Sequence, residues 1–389
     1  MHMPSGGKDK GTGRYGRQRG MGRLRTTNRK DVGRLGDWSN HAEDDAFLDR
    51  HGNNQSSQHG GERLVSQFNR LVALRSKAPR RGEPAEVSGI RPGSIQVRFP
   101  DGRESIAALR RALEKRVVGM SNTLAVGDQV RVEQVRDEAN AQSEWVIVAV
   151  EPRRNQIARA DSHNRSLEHV LAANLDVLVA VSSVHDPDFK HGFVDRALLL
   201  AAVNSITAIV VVSKRDLGDP REMVTLYSGL GYTCVAVDAR DLNDPGIVEL
   251  RQHLLGRTCV VAGQSGVGKS SLINACFPGT NARIGDVAEQ GFGRHTTTTA
   301  ISFVLPGGGR LVDTPGIREC TISGMVALNV ALLYPDFASL QPLCHFQDCT
   351  HRHEPHCAVK DALDAGSLAP SRYYSYLSIV EDDLKTGAG

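Results

Sequence analysis

The sequence predicts a multidomain chain: a small N-terminal β-barrel, an α/β domain built on a parallel sheet, and a C-terminal helical domain rich in Cys and His. Three observations predict it. Short alternating strands crowd together between about Gly82 and Pro152. From about Asn155 to Ile322, apolar strand-like runs alternate with helix-length segments, which implies a parallel sheet covered on both faces. Beyond Ser323 the chain turns helical, and Cys344, Cys349, His351 and Cys357 fall within fourteen residues.

The 389 residues, 40% hydrophobic and 23% charged, suffice for two or three domains with cores of their own. A net charge of +3 says little by itself; its distribution says more. Apolar runs are too short to span a membrane, and the N-terminus lacks the apolar centre of a secretory signal. Four of the seven cysteines (Cys234, Cys259, Cys276, Cys320) stand singly among apolar or helical residues. They read as reduced core thiols in a cytoplasmic protein.

Residues 1–80 form a basic extension. Arg14, Arg17, Arg19, Arg23, Arg25, Arg29, Lys30 and Arg34 alternate with Gly, Gln and Thr, and Asp37–Gln58 is polar. Such composition buries too little surface to fold, and its charge suits RNA. Glu62–Leu74 has helical apolar spacing at Leu64, Val65, Phe68, Leu71 and Val72. Over 81–154, Ala85–Ile90, Ser94–Phe99, Val126–Val132 and Trp145–Val150 read as strands, with a turn at Pro100-Asp101-Gly102. About five short strands in this space suggest an oligonucleotide-binding (OB) type of barrel. Arg98, Arg103, Arg110, Arg111, Lys115, Arg116, Arg131 and Arg136 give it basic loops.

Over 155–322 the expected order is strand Leu175–Val181, helix Phe193–Val203, strand Ala208–Val212, helix Glu222–Leu230, strand Thr233–Val237 and helix Gly246–Leu255. The strand Cys259–Ala262 follows, then strands Ala300–Leu305 and Arg310–Val312 joined through Pro306-Gly307-Gly308-Gly309. In the last part, 323–389, Ala358–Ala365 and Pro370–Leu384 read as helices.

The chemistry begins at Gly263-Gln264-Ser265-Gly266-Val267-Gly268-Lys269-Ser270-Ser271. Its first eight residues fit the phosphate-binding pattern G-x-x-x-x-G-K-[ST], between a buried strand and a helix start. Glycines let successive N–H groups face one anion, and the helix N-terminus adds positive charge. Lys269 is placed for the β- and γ-phosphates and the Ser270 hydroxyl for Mg²⁺. Asp313-Thr314-Pro315-Gly316 ends a strand and fits D-x-x-G. There Asp313 can hold a water of the Mg²⁺ shell, and the Gly316 N–H can meet the γ-phosphate.

Ser213-Lys214-Arg215-Asp216 ends another strand and is similar to the guanine-reading N-K-x-D. Asp216 can accept from the ring N–H and the exocyclic amine of guanine, a pair adenine lacks. Lys214 can lay its stem along the base, and Ser213 replaces Asn. Val237-Asp238-Ala239 is similar to the S-A motif that reaches the guanine carbonyl, with Asp238 in place of Ser. Gly291 to Thr299 occupies the place of a first switch; we expect Thr297 to bind Mg²⁺. Because the base-reading segments precede the phosphate loop, the domain reads as a circularly permuted P-loop GTPase fold.

Cys344-x4-Cys349-x-His351-x5-Cys357 supplies three thiolates and an imidazole, a set for closed tetrahedral Zn²⁺, hence a structural site. His345, His353 and His356 compete by spacing.

Together, the barrel, SKRD, GQSGVGKSS, GRHTTTT, DTPGIRE, the Cys/His set and AVKDAL, in this order, resemble the ribosome small-subunit-dependent, circularly permuted GTPases of bacteria. The resemblance covers roughly Gly82 to the C-terminus. It implies an OB barrel that binds RNA, a permuted GTPase domain and a zinc-finger domain with His351 as the histidine ligand. It also implies GTP hydrolysis to GDP stimulated by the small ribosomal subunit, rRNA contact, and a role in late subunit maturation. We expect a monomer with no membrane partner. Ile317, directly after D-x-x-G, lacks the water-orienting amide many GTPases place there. Intrinsic turnover should be slow, with His295 the internal candidate to position the water. A different reading is an RNA-binding scaffold that holds GTP as a structural ligand. A third, a P-loop ATPase, conflicts with Asp216.

Overall fold

The computed structural model describes residues 81–91, 93–113, 120–136, 143–161, 164, 167–279, 300–313 and 327–387. The helix expected over Glu62–Leu74, the rest of 1–80, and His295, Thr297 and Gly316 lie outside the described residues.

Five strands open the described chain: β1 (Glu83–Arg91), β2 (Ser94–Arg98), β3 (Glu104–Leu109), β4 (Gln129–Arg136) and β5 (Ser143–Val150). Small and β-branched side chains at alternate positions (Ala85 and Val87, Val130 and Val132) turn inward and are buried, as the two-residue period of a strand requires. The strands run β1-β2-β3-β5-β4 around the barrel, with β3 and β5 parallel. Pairing of Ala85 with Val130 closes it.

A hairpin, β6 (Gln156–Ala160) and β7 (Glu168–Ala173), links the barrel to the next domain and was not foreseen in the sequence. It is moored at Gly127, whose φ is +93°; a Cβ there would lie 2.2 Å from the Ala173 carbonyl oxygen. The Asn174 side-chain amide donates back to the Gly127 carbonyl at 2.9 Å.

The α/β domain follows in the order β8 (Val177–Ser183), α1 (His191–Val203), β9 (Thr207–Ser213), α2 (Arg221–Gly229), β10 (Thr233–Ala236), α3 (Pro245–Leu254), β11 (Thr258–Gly263), α4 (Lys269–Cys276), β12 (Ala300–Val304) and β13 (Arg310–Asp313). In space the strands run β10-β9-β8-β11-β13-β12. Strands that precede β11 in the chain thus lie on one side of it, and those that follow lie on the other. Alternate residues of β8 face opposite ways. Val177, Val179 and Val181 pack with Ile247, Leu250 and Leu254 of α3 and with Leu272 and Ile273 of α4. Leu178 and Ala180 pack with Val194, Ala197 and Leu198 of α1 and with Tyr227 of α2. The sheet therefore has a core on each face.

The expected parallel sheet is present in β8, β9, β10, β11 and β13, while β12 runs antiparallel to β13. A tight Gly-rich turn joins these two consecutive strands, and so short a connection permits only antiparallel neighbours. β12 also pairs antiparallel with β1, through Gly89 with Ile301 and Ile90 with Ala300. Barrel and sheet thereby form one run of eleven strands.

The C-terminal part contains α5 (Ala327–Leu333), α6 (Pro335–Leu340), α7 (Ala358–Asp364) and α8 (Pro370–Gly387). Val330, Tyr334, Phe337, Tyr373 and Tyr376 form its core together with Leu199 of α1. Beside that core, Arg372 of α8 is buried between two carboxylates. Its guanidinium meets Asp195 of α1 in a very short ion pair and Asp336 of α6 at 3.0 Å. It lies 4.1 Å from the centre of the Tyr334 ring. The Tyr227 hydroxyl adds a 3.1 Å bond to Asp195, linking α2 to the same network.

Candidate nucleotide and metal sites

In a sheet whose strand order reverses about a central strand, loops at the carboxyl ends open into a crevice. Here those ends carry Gly263 at the end of β11, Ser213 at the end of β9, Val237 after β10 and Asp313 at the end of β13. Loop 263–270, the SKRD segment, the loop after β10 and Asp313 thus meet at one edge.

Loop 263–270 is shaped by its glycines. Gly266 and Gly268 both have φ of +83°, a region that side chains disfavour. At Gly263 a Cβ would lie 2.8 Å from the Val181 carbonyl oxygen of the neighbouring strand. Gln264, Ser265 and Gly266 are exposed, as is Ser271, whereas Val267 is buried against the sheet. Lys269 Nζ donates to the carbonyls of Gly263 (2.9 Å) and Gln264 (2.7 Å), so the ammonium lies over the loop. Ser270, in the first turn of α4, is half-buried, as is Asp313 across the β11–β13 pair.

The SKRD segment is fastened to its surroundings residue by residue. Ser213 is buried, and its hydroxyl donates to the Val267 carbonyl at 2.7 Å. Lys214 takes a left-handed conformation, φ 57°, and its ammonium makes a very short contact with the Asp186 carbonyl. Pro187, next in that loop, faces Gly266: a Cβ on the glycine would lie 3.6 Å from the proline ring. Arg215 pairs with Asp244 at 2.5 Å. Asp244 caps α3, accepting from Ile247 N at 3.1 Å and from Asp238 N at 3.3 Å. This fully buried carboxylate holds the SKRD loop and the loop carrying Asp238 and Ala239 together. The Asp216 side chain is 17% exposed and pairs with Arg240 at 2.7 Å. Ala239 is half-buried and packs on the core beneath.

Sequence reasoning had passed over Asp244 and Arg240. Asp244 carried a readable signal, an Asp directly before a Pro at a helix start; Arg240 carried only its place after Ala239.

Across α8, Cys344, Cys349, His351 and Cys357 bring their ligand atoms within 4.8 Å of one another. His351 Nδ1 lies 3.3 Å from Cys357 Sγ and 3.7 Å from Cys344 Sγ. A tetrahedron with Zn–S and Zn–N bonds of ordinary length has edges of roughly 3.5–3.8 Å. The donor set fits one zinc ion, with the widest separations, up to 4.8 Å, drawing in on binding. His351 reaches the cluster from a left-handed conformation, φ 57°. The Tyr373 hydroxyl donates to its carbonyl at 2.9 Å, and the Tyr376 hydroxyl to the Thr350 carbonyl at 2.7 Å. The competing His345, His353 and His356 are exposed. Burial opposes ionisation of Glu354, but hydrogen bonds from Thr350 and nearby backbone N–H groups outweigh it and hold its pKa down to about 2. No helix among the described residues is long and apolar enough to cross a membrane.

The family model described as RsgA GTPase matches residues 150–323. A small ribosomal subunit biogenesis GTPase RsgA from Gemmatimonas aurantiaca is 36% identical over 294 residues, which cover 75% of this chain and 94% of that protein. One of the same name from Chlorobaculum tepidum is 40% identical, over 67% of this chain and 86% of the relative. Among solved structures, YjeQ from Thermotoga maritima aligns with a TM-score of 0.59 at 31% identity, covering 78% of this chain and 98% of that one. YloQ, a circularly permuted GTPase, aligns with a TM-score of 0.58 at 23% identity over 79% and 96%, a likeness of fold.

Proposed function

The chain belongs to the RsgA GTPase family of GTP-hydrolysing P-loop proteins, and we propose that it binds the small ribosomal subunit and acts late in its maturation. In this reading the subunit accelerates hydrolysis of GTP to GDP and phosphate. The relatives' names support the subunit role, and the observation that carries the GTPase part is the meeting of loop 263–270, the SKRD segment and Asp313 at one edge of the sheet.

We assign the phosphates to the N–H groups from Gly263 to Ser271, with Lys269 moving from the loop carbonyls onto them. Ser270 and Thr297 would hold Mg²⁺, with Asp313 held to one of its waters, and the ion would supply positive charge against that developing on the phosphate oxygens. Asp216 reads guanine, Lys214 lies along the base, and Ala239 offers backbone to its carbonyl. Ser213 acts by holding the base loop to the phosphate loop, since its hydroxyl is spent on Val267. Gly316 senses the γ-phosphate, and His295 positions the attacking water.

The organisation we propose is a basic extension over 1–80, an RNA-binding barrel over 81–154, the GTPase domain over 155–322 and a zinc domain over 323–389. One structural zinc is held by Cys344, Cys349, His351 and Cys357, and the protein is a cytoplasmic monomer that contacts rRNA. Ile317, apolar where many GTPases carry a water-orienting Gln, favours low intrinsic turnover and keeps one rival in view, an RNA-binding scaffold with GTP as a structural ligand.

Turnover of GTP and of ATP, each alone and with purified ribosomal subunits, decides between them. We expect GTP-specific hydrolysis that rises with the small subunit. Turnover that stays near zero with the subunit bound would establish the scaffold, and equal use of ATP would overturn the guanine assignment.

A further inference from the structure

Asp238 and Arg240 flank Ala239 and are joined as a fork. Arg240 Nε lies 3.0 Å from Asp238 Oδ1 and its Nη2 lies 2.9 Å from Oδ2. The Arg240 backbone N–H donates to the same carboxylate at 3.0 Å. The Nη2 also reaches the Asp216 carboxylate at 2.7 Å. The Arg240 side chain is 70% exposed, while those of Asp216 and Asp238 are only 17% and 20% exposed. The guanidinium therefore lies on the open side of two partly sheltered carboxylates. Arg215, next to Asp216 in the chain, is committed to Asp244.

To a carboxylate, a guanidinium and the edge of guanine offer the same thing: adjacent, coplanar N–H donors. We propose that Arg240 is a built-in competitor for guanine. It pairs with Asp216, gives way to the base, and is kept nearby by Asp238. The replacement of Ser by Asp at position 238 then has a purpose, because a serine hydroxyl cannot hold a guanidinium by two parallel bonds. The pair sets nucleotide affinity and the rate of exchange. This inference rests on the reading of Asp216 as the guanine-reading residue.

An exposed ion pair is worth little and is screened by salt. Arg240→Ala should therefore tighten GDP binding about two- to fivefold at low ionic strength and slow its release by a similar factor, the gain shrinking toward nothing at about 0.5 M salt. Titration and stopped-flow release of a fluorescent GDP from the full-length protein measure both. Asp216→Asn is the partner experiment. Its amide can donate to the carbonyl that xanthine carries in place of the guanine amine, so selectivity should turn toward xanthosine diphosphate. In that background the neutral side chain no longer attracts Arg240, and adding Arg240→Ala should leave xanthosine diphosphate affinity unchanged. If Asp216→Asn keeps its preference for guanosine, the base reading is wrong and the competitor falls with it. If it switches to xanthosine while Arg240→Ala leaves GDP affinity unchanged or weaker, the base reading stands and the competitor is overturned.

Discussion

The Ser213 hydroxyl donates a 2.7 Å hydrogen bond to the Val267 carbonyl, joining the end of β9 to the middle of the phosphate loop. Both residues are buried, so water cannot replace the bond if it is lost. Ser213, standing where the N-K-x-D pattern has Asn, ties the two loops with a small side chain.

Ser213→Ala should weaken GTP and GDP binding alike, by about 1–2 kcal/mol, because a buried carbonyl loses its donor. Selectivity over ATP should persist. Titration with fluorescent nucleotides measures it, and unaltered affinity would show that the bond does not shape the site.

His295→Ala should keep nucleotide affinity and lose most of the subunit-stimulated rate, as expected for a group that orients the attacking water. Single-turnover hydrolysis with saturating subunits tests this. A wild-type rate in a variant that still binds the subunit would remove His295 from the mechanism.

Cys349→Ser should bring zinc content toward zero and loosen the packing of α7 and α8, since ligand binding and folding are one equilibrium in such modules. Cys349 is almost wholly buried inside the cluster, within 4.8 Å of its partners. Metal analysis and thermal unfolding report the outcome; full occupancy would mean that the ligand set is different.

Arg372→Met should destabilise the protein by about 3–5 kcal/mol, because Asp195 would be left buried without its counter-charge. Adding Asp195→Asn should recover part of the loss. Chemical denaturation of the two single variants and the double variant gives the coupling, and simple additivity would contradict it.

Burial pushes the thiols of Cys259 and Cys276 up to about 12. Roughly one thiol in ten thousand is then ionised at pH 8, so iodoacetamide should spare both until the protein unfolds. The unfolded chain ionises them near pH 8.5. Their contribution to stability is therefore complete below that pH and is lost as pH rises toward 12. Peptide mapping after alkylation at pH 8 checks the first point; rapid labelling of Cys259 in the native protein would refute it.

Much of this was legible because the relevant chemistry is local. The run from Gly263 to Ser270 declares its backbone by its own glycines, and β8 through β11 announce themselves by length and apolar content. The hairpin Gln156–Ala160 with Glu168–Ala173 was missed because Arg159, Glu168 and His169 break the alternation that marks a strand. The partner of Ser213 lies 54 residues away, beyond any local pattern. Spacing left four histidines open beside the cysteines; the choice is made by the left-handed turn at His351 and the buried ring it carries. Arg240 gave no sign, since an arginine after a loop reads as a solvated charge.

The pairing of Gly89 and Ile90 with Ile301 and Ala300 has a consequence for handling the protein. β12 would otherwise end the sheet in a row of free N–H and C=O groups, with Phe303 and Val304 alongside. Such a border invites a second copy to add its own strand. The barrel covers part of that border, shielding it from self-association. Cutting the chain between the two would uncover it, so an excised α/β domain is expected to aggregate even where every residue of its nucleotide site is intact.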